Sequence, residues 1–454
     1  MASEWTAIRL GDVTRFNSGG TPSKENLSYW VGDIPWLSAK DMKKFLIEET
    51  EDHISDEGLQ NGSRLAPAGT VFLLARGMTL LNDIPICISE RPMAFNQDVK
   101  GLAADGTLLT TEYLPYLLLG HKATLLNLVD LAGHGTGRLN TDELKSLNVL
   151  VPSTEEQRAI AYILRTLDDK IELNRKMNET LEAMARALFQ SWFVDFDPVR
   201  AKAAVRREHP RWTDAEVCRA ALPTLAPEIA ALFPDSFESS VLGDIPKGWQ
   251  LLPLPEAINV NPSRPLRKGA IAPYLDMANM PTQGHSADEV VQREFNSGMR
   301  FMNGDTLVAR ITPCLENGKT AFVDFLDENQ VGWGSTEYIV LRPKPPLPNE
   351  FAYCLARSAD FRDFAIQSMT GSSGRQRVPA ESLSHFKITS PSEPIAKLFG
   401  GFVEPLFVRA GQAAKESRTL AALRDTLLPK LISGELRVKT SQSEQSAPAE
   451  VCNG

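Results

Sequence analysis

The chain has 454 residues, with 48 Lys and Arg against 57 Asp and Glu and a formal net charge of −9. This length predicts two or three domains. The acidic balance argues against a protein that coats nucleic acid non-specifically, because such binding needs many cations that neutralise phosphates. Its five cysteines lie far apart without a C-x-x-C pair, which argues against a disulfide framework or a zinc site and favours a reducing cytoplasm. No run of 18 apolar residues occurs and the first residues lack an apolar segment behind a basic start, so neither a membrane span nor an export signal is expected.

Residues 1–152 are predicted to form a first globular part of helices and strands. Short β-rich runs broken by glycine and proline, such as GTVFLLAR (Gly69–Arg76), indicate strands and turns. Residues 1–150 hold 13 Lys and Arg against 19 Asp and Glu, and much of the acid lies in EETEDHISDE (Glu48–Glu57), which we interpret as a solvated loop or a surface that faces away from nucleic acid. A DNA-binding surface would therefore have to concentrate its cations on one face.

A long helix is predicted over residues 153–197. Ser153 followed by Glu156 indicates a capping box at its start, and Pro198 is expected to end it. Apolar or small residues recur at helical spacing at Ile160, Leu164, Leu167, Ile171, Leu181, Ala185, Leu188 and Trp192. About 40 residues at 1.5 Å each predict a rod of roughly 60 Å.

Two asparagines, Asn174 and Asn178, interrupt this apolar stripe. A polar insertion of this kind fixes the register of a coiled coil at some cost in stability. The helix therefore needs a partner of similar length, because one amphipathic rod cannot bury its apolar face alone.

The second half repeats this organisation after a connector over residues 198–243. A second globular part is predicted over residues 244–391, followed by a second long helix over residues 392–436 that tolerates Pro394 in its first turn. Residues 437–454 are polar and are expected to be disordered.

An internal repeat relates the two halves. GTGRLNTDELKSLNVLVPS (Gly135–Ser153) and GRQRVPAESLSHFKITSPS (Gly374–Ser392) superpose without a gap, and a small shift matches GTVFLLAR with GDTLVAR (Gly304–Arg310). The predicted fold class is α+β, with two α/β domains of twisted mixed sheets separated by two long antiparallel coiled-coil helices in a pseudo-two-fold internal repeat.

Catalytic motifs are not found. ENGKT (Glu316–Thr320) lacks the glycine of a phosphate-binding loop, because Pro313 stands there, and GHGTG (Gly133–Gly137) does not open a helix after a strand. The sequence contains no N/D-P-P-Y/F/W tetrapeptide of amino-methyltransferases, no H-E-x-x-H and no G-x-S-x-G. We therefore expect no catalytic, cofactor-binding or metal-binding residues in this chain.

Several segments, in order, form a recognisable pattern. Two of them lie near the centre of the chain, SWFVDFDPVRAK (Ser191–Lys202) and LFPDSFESSVLGDIPKGW (Leu232–Trp249). The others are both long helices and the segments GGTPSKENLSYWVGDIPWLSAKDM (Gly19–Met42) and LVARITPCLENGKTAFV (Leu307–Val323). Together they resemble the specificity subunits of type I restriction-modification enzymes over nearly the whole chain.

The resemblance implies a non-catalytic, cytoplasmic prokaryotic subunit whose two target recognition domains each read one half of a bipartite, asymmetric double-stranded DNA sequence. The helices would set the spacing of the half-sites. It also implies two adenine-methyltransferase (modification) subunits and restriction subunits as partners, with S-adenosylmethionine, ATP and Mg expected in those partners and no cofactor in this chain.

Polar and cationic residues near strand ends are the candidates for DNA contact. They are Thr21, Ser38, Lys40, Arg76, Thr79, Asn96, Gln97 and Arg138 in the first part and Arg310, Thr312, Lys319, Ser335, Thr336, Arg375 and Arg377 in the second. Arginine suits a guanine edge or a phosphate, and asparagine or glutamine suits an adenine edge. The alternatives are ion pairs that shape loops, hydrogen bonds within each domain, and a solvated surface lysine.

The repeat adds two expectations about these candidates. Arg76 and Arg310 are predicted to occupy matching places just after a strand. Arg138 and Arg377 match across the repeat, so they cannot explain different specificities; they fit phosphate contacts or ion pairs that hold a turn.

Three other interpretations remain open. The first is a self-contained methyltransferase or nuclease, and the missing motifs argue against it. The second is the specificity subunit of a related type II-like methyltransferase-nuclease system. The third is a structural coiled-coil adaptor that does not read DNA. The basic run Arg200–Arg211 fits an interface with a modification subunit or a solvated helix face.

Overall fold

A computed structural model describes residues 5–132, 135–241, 243–287, 289–372 and 374–438. These form two units, Met1–Glu172 with Arg418–Gly454, and Leu173–Ser417. The predicted disordered tail lies outside the described residues from position 439 onward, as do Cys452 and two residues of the GHGTG run, Gly133 and His134.

The first unit combines short strands with short helices. Its strands are β1 (Thr6–Arg9), β2 (Thr14–Ser18), β3 (Ile34–Leu37), β4 (Leu46–Ile47), β5 (His53–Ile54), β6 (Leu65–Ala66), β7 (Val71–Leu74), β8 (Arg76–Gly77), β9 (Ile86–Ser89), β10 (Met93–Phe95), β11 (Val99–Ala104), β12 (Val129–Ala132), β13 (Thr136–Leu139) and β14 (Asn148–Val151). Its helices are α1 (Leu10–Val13), α2 (Asp56–Gly62), α3 (Leu114–Gly120), α4 (Lys122–Asn127) and α5 (Thr141–Ser146), with 3-10 turns at Leu27–Trp30 and Met78–Leu81.

The core of this unit lies around a five-stranded mixed sheet in the order β2-β11-β7-β9-β4. Strand β7 is central, and its four residues, VFLL, are all buried, as expected for a strand covered on both faces. A second sheet has the order β5-β3-β10-β6, in which β3 and β10 run parallel. A three-stranded ribbon, β12-β13-β8, lies at the end of β7.

The acidic segment Glu48–Glu57 is more structured than expected for a solvated loop. It contains β5 and begins α2, whose N-cap Ser55 accepts a hydrogen bond from the Gly58 amide. Its carboxylates also bind cations of the same unit, since Glu49 pairs with Arg91.

The long helix α6 (Thr154–Phe189) begins in the first unit and ends in the second. A π-helical turn, Gln190–Val194, continues it, and Phe196 then adopts a left-handed conformation with φ of 55°. The expectation that Pro198 ends this helix is wrong. Pro198 lies in the first turn of the next helix, where proline's missing N–H is harmless.

The second unit shares part of its arrangement of strands and helices with the first. Its helices are α7 (Asp197–Glu208), α8 (Asp214–Ala221), α9 (Pro227–Ala230), α10 (Leu254–Ala257), α11 (Asn349–Arg357) and α12 (Ala359–Gln367), with a 3-10 turn at Ala380–His385. Its strands are β15 (Phe237–Ser240), β16 (Gly243–Pro246), β17 (Gln250–Pro253), β18 (Ile258–Val260), β19 (Ile271–Leu275), β20 (Val291–Glu294), β21 (Met299–Phe301), β22 (Thr306–Ala309), β23 (Thr320–Phe322), β24 (Gly332–Gly334), β25 (Tyr338–Pro343) and β26 (Lys387–Ser390). The second long helix, α13 (Glu393–Ser433), ends at Gly434, whose φ of 79° suits glycine.

Strand pairing confirms the internal repeat. β1 pairs antiparallel with β14, and β17 pairs antiparallel with β26. The register is the same, because the first residues of β1 and β17, Thr6 and Gln250, face Val151 and Ser390, which are equivalent in the aligned repeat. A parallel pair is likewise repeated, β3 with β10 and β19 with β24. The predicted α+β class with mixed sheets is therefore confirmed.

Within each unit the two long helices run antiparallel. In the first unit, Arg424 of α13 donates to Asp168 of α6 at 2.7 Å. In the second unit, the amide of the fully buried Asn174 donates to Glu416 at 2.8 Å, and Phe189 packs on Phe399. Asn174 thus makes a polar contact between the helices, as the interrupted stripe predicts.

The start of α6 departs from the expected capping box. The Ser153 hydroxyl accepts a hydrogen bond from the Glu156 amide at 3.3 Å. The Glu156 carboxylate instead accepts two hydrogen bonds from Arg437, at 2.7 and 2.8 Å. This glutamate therefore joins α6 to the residues that follow α13 within the first unit.

A buried hydrogen bond attaches α6 to the first globular part. The Tyr116 hydroxyl of α3 donates to Asp168 at 3.0 Å, and both side chains are buried. We expect Tyr116→Phe to lower the free energy of unfolding of the first unit by about 2 kcal/mol, because hydrogen bonds to charged groups contribute more than neutral ones. Urea unfolding checks this against Tyr162→Phe, since Tyr162 of α6 is 75% exposed. Equal losses in the two variants would contradict the expected contribution of Tyr116.

Candidate nucleic-acid interface

The ribbon of the first unit displays a row of charged side chains. Asp130 of β12 faces Arg138 of β13, and Arg138 in turn faces Arg76 of β8. Residues directly opposite each other in antiparallel strands point to the same face of a sheet, and these three are exposed. The other face is closely packed, since a Cβ on Gly137 would lie 2.7 Å from the Leu80 Cβ.

A tight turn between β10 and β11 lies beside this ribbon. The side-chain oxygen of Asn96, a residue that is 8% exposed, accepts hydrogen bonds from the amides of Asp98 and Val99, both at 3.1 Å. The Asp98 carbonyl in turn accepts from the Ala75 amide at 2.7 Å, so the turn is fixed against the end of β7. Gln97 is exposed on this turn, and the Thr21 hydroxyl donates to its side-chain oxygen.

The turn and the ribbon enclose a surface pocket of about 330 Å³. It is lined by Ala75, Arg76, Gln97, Asp98, Lys100, Arg138, Leu139 and Thr141. Of the residues predicted from the sequence, the structure therefore brings Arg76, Gln97 and Arg138 together, with Thr21 bound to Gln97.

The pocket is rich in cations without a carboxylate partner. Within the part of the chain that the structure describes, no ion pair of 4.0 Å or less joins Arg76, Lys100 or Arg138 to an acid. The Lys100 ammonium donates a hydrogen bond to the Ser18 hydroxyl at 2.6 Å. Burial lowers the pKa of Lys100, and repulsion by Lys145 and Arg138 lowers it further against the attraction of Asp98.

Other candidates of the first unit lie elsewhere or make contacts within the unit. Ser38 is 9% exposed and its hydroxyl donates to Asp41 at 2.9 Å. The Lys40 ammonium forms ion pairs with Asp52 at 2.9 Å and Glu51 at 3.2 Å. Thr79 is exposed in the 3-10 turn that follows β8.

The second unit repeats the pairing of the ribbon as isolated bridges, with different residues at more than one place. Arg377 forms bridges with Ile311 and Thr370, and the Val378 amide donates to the Arg310 carbonyl at 2.9 Å. In the first unit the corresponding bond runs from the Leu139 amide to the Ala75 carbonyl, also at 2.9 Å.

Arg310 therefore corresponds to Ala75, and Ile311 takes the place of Arg76. The expectation that Arg76 and Arg310 occupy matching places is wrong by one residue, because GDTLVAR is one residue shorter than GTVFLLAR.

The equivalent turn of the second unit has the same backbone bonds. The Ser335 hydroxyl accepts from the Glu337 amide at 3.1 Å, as Asn96 does from Asp98. The Glu337 carbonyl accepts from the Arg310 amide at 3.0 Å. Thr336 is exposed at the position of Gln97. Asn96 and Ser335 thus both stabilise the turns that present the next residue.

A carboxylate neutralises the arginines of the second ribbon. Glu337 accepts from Arg377 Nε at 2.9 Å and from Arg310 Nε at 3.3 Å. The Arg377 side chain also donates to the Arg375 carbonyl at 3.3 Å, and the Arg375 side chain is exposed. Arg310 and Arg377 thus form the ion pairs that were the alternative to DNA contact.

The remaining candidates of the second unit donate to backbone carbonyls. The Thr312 hydroxyl donates to the Gln376 carbonyl at 3.3 Å. The Lys319 ammonium donates to the carbonyls of Met277 and Ala278, the latter at 3.2 Å. These bonds connect loops of the second unit.

Sequence patterns did not predict Lys100, Thr141 or the contrast between Asp98 and Glu337. Lys100 is two residues after Asp98, and alternation along a strand places such residues on one face. That spacing was the available signal. The role of Glu337 was not readable, because its partner Arg377 is 40 residues away.

The basic run Arg200–Arg211 forms most of α7, and several of its cations are already bound within the second unit. Lys202 is 4% exposed and donates to the carbonyls of Ala230 and Phe233. Arg206 pairs with Asp214 and Asp235.

In the described ranges, no helix is long and apolar enough to cross a membrane. In the same ranges, no group of three or more His, Cys, Asp or Glu side chains is placed to hold a metal ion.

Comparisons with known proteins agree with the sequence resemblance. Residues 2–183 match the family model of the type I restriction modification DNA specificity domain. The chain is 27% identical to the MjaIX type I restriction enzyme specificity subunit of Methanocaldococcus jannaschii, over 96% of this chain and 94% of that relative. It is 26% identical to the HindI type I restriction enzyme specificity subunit of Haemophilus influenzae, over 73% of this chain and 79% of that relative.

The fold is also shared with a solved structure. A crystal structure of the S subunit of the type I restriction-modification system from M. genitalium superposes with a TM-score of 0.53. The two are 15% identical, and the match covers 95% of this chain and 96% of that one. At this identity the likeness concerns the fold alone.

Proposed function

We propose that this chain, which is similar to type I restriction-modification specificity subunits, acts as such a subunit and that each globular part reads one half of a bipartite, asymmetric DNA sequence. One observation carries the proposal: the same ribbon and turn occur in both units with different side chains at equivalent places. Gln97 corresponds to Thr336, and both side chains are exposed. Hydrogen-bonding side chains near base edges determine sequence preference, so two such surfaces that differ would read different half-sites.

The chain would act without chemistry of its own. Two adenine-methyltransferase subunits and the restriction subunits would bind it, and those partners would hold S-adenosylmethionine, ATP and Mg. Apolar side chains left exposed on α6 support a docking role for the long helices, since Tyr162 is 75% exposed and Met184 is 54% exposed.

The long helices would also set the distance between the two half-sites. Polar contacts fix the pairing of α6 with α13 in each unit, through Asp168 and Arg424 in the first and through Asn174 and Glu416 in the second. A fixed register would hold the reading surfaces at a constant separation.

Mapping of methylated adenines tests the proposal. In cells that express this chain with its modification partner, we expect a split motif with an unread gap. Replacing residues 244–391 with those of another family member should change one half of the motif and leave the other intact. A change in both halves would contradict independent reading.

An adaptor that does not read DNA gives a different result. In a gel-shift assay of the complex with the modification subunit, we expect preferential retention of duplex that carries the mapped motif. Equal retention of a scrambled duplex, or none at all, would support the adaptor.

A further inference from the structure

Asp98 and Glu337 are equivalent acids in the two turns, and they differ by one methylene. Both carbonyls accept a hydrogen bond from the residue that ends the central strand, Ala75 in the first unit and Arg310 in the second. The Glu337 side chain reaches Arg377 at 2.9 Å. Within the described ranges, no ion pair of 4.0 Å or less joins the shorter Asp98 to Arg138, the equivalent of Arg377.

The second unit therefore indicates the kind of ligand that the arginines of the ribbon bind, which is an anion. Guanidinium groups bind carboxylates and phosphates through the same fork of N–H donors. In the second unit the chain supplies the anion itself, because Glu337 occupies the arginines. In the first unit the pocket gathers Arg76, Lys100 and Arg138, together with Asp98, around an open space of about 330 Å³.

We propose that the pocket of Arg76, Lys100 and Arg138 binds one phosphate of the DNA backbone, whereas Glu337 closes the equivalent place in the second unit. The inference deepens the proposed function and rests on it. The two surfaces then contribute unequally to affinity, with the first supplying a sequence-independent electrostatic contact that the second lacks. An overall negative chain would benefit from such a focused site, because its net charge of −9 repels DNA.

Salt dependence of binding measures this contact directly. Each phosphate neutralised by the protein releases counterions and steepens the dependence of affinity on salt by about one unit of log-log slope. Asp98→Glu should extend a carboxylate to Arg138 and close the pocket. We expect this variant to bind roughly tenfold more weakly, with the slope reduced by about one.

The experiment uses the full chain assembled with its modification subunit and a duplex that carries the mapped motif, titrated over a series of NaCl concentrations. Asp142→Glu is the matched control, because it makes the same chemical change at a side chain that is 93% exposed and does not line the pocket. Glu337→Asp is the reciprocal change, and it should steepen the slope. Arg138→Gln should weaken binding as Asp98→Glu does.

Neutral methylphosphonate linkages locate the phosphate. A methylphosphonate at one position of the duplex should weaken binding by the wild-type complex. The same substitution should leave the affinity of the Asp98→Glu complex unchanged. Slopes of Asp98→Glu and Arg138→Gln equal to wild type, with thermal unfolding unchanged, would overturn the phosphate site. An unchanged slope for Glu337→Asp would overturn the closure by Glu337. A wild-type complex that does not distinguish the motif from a scrambled duplex would instead contradict the proposed function.

Discussion

Arg357→Ala is expected to lower the free energy of unfolding of the second unit by about 3–5 kcal/mol, the usual cost of breaking a buried polar network from one side. Arg357 is 8% exposed, and its Nε donates to the Tyr353 hydroxyl at 3.0 Å. The Tyr353 hydroxyl in turn donates to Glu182 of α6 at 2.9 Å. The other guanidinium nitrogens donate to the carbonyls of Thr282, Gly284, Gly318 and Thr320.

The size of this loss follows from the groups left behind. Alanine at this position would remove the donor from four carbonyls, and two of these hydrogen bonds, to Gly318 and Thr320, are buried. It would also remove one of the two cations near Glu182, which lies 4.0 Å from Arg357 Nε. Buried acceptors without donors carry the full cost of their lost hydration. Since whole domains are stable by only about 5–15 kcal/mol, much of the stability of this unit would be lost.

Urea unfolding followed by circular dichroism measures this effect. Arg357→Lys should fall between wild type and Arg357→Ala, because an ammonium keeps the charge but not the planar fork of donors. Arg219→Ala on the exposed face of α8 is the control and should change stability by about 0.5 kcal/mol or less. Equal unfolding of Arg357→Ala and Arg219→Ala would show that the network contributes little to the stability of the second unit.

The sequence predicted the repeated framework of this protein better than it predicted which charged side chains form ion pairs. A repeat of strand, turn and helix is legible because apolar spacing and glycine positions are local, and the shared registers of β1–β14 and β17–β26 agree with it. Local patterns also identified Arg76, Gln97 and Arg138, which line one pocket. That these residues contact DNA remains a prediction.

Side-chain partners distant in sequence were not predictable in the same way. Glu156 has the spacing of a capping box, yet its carboxylate binds Arg437, 281 residues away. Arg310 follows a strand as Arg76 does, but it stands one residue nearer the end of its strand, and this gives it the place of Ala75 beside Glu337. Which arginine is neutralised depends on strand register and on one methylene, and neither is visible in composition or spacing.

Lengthening both long helices should lengthen the unread gap of the DNA motif. We expect a seven-residue insertion between Glu172 and Leu173 of α6, paired with one between Ser417 and Arg418 of α13, to add about three base pairs to the gap. Seven residues add about 10.5 Å at 1.5 Å per residue, and duplex DNA rises about 3.4 Å per base pair. Seven residues also make nearly two full turns, so the apolar faces would still meet.

The insertion must be made in both helices, because an insertion in α6 alone would misalign the contact of Asp168 with Arg424 relative to that of Asn174 with Glu416. Duplicating residues 166–172 and 418–424 uses sequence already compatible with each helix. The control places seven residues between α8 and α9, which leaves both long helices unchanged and should leave the gap unchanged. Methylated adenines are then mapped for each variant. A rigid spacer requires that the gap grow by about three base pairs while both half-sites stay intact. A double insertion that retains methylation at the original gap would show that something other than the paired helices fixes the spacing of the half-sites.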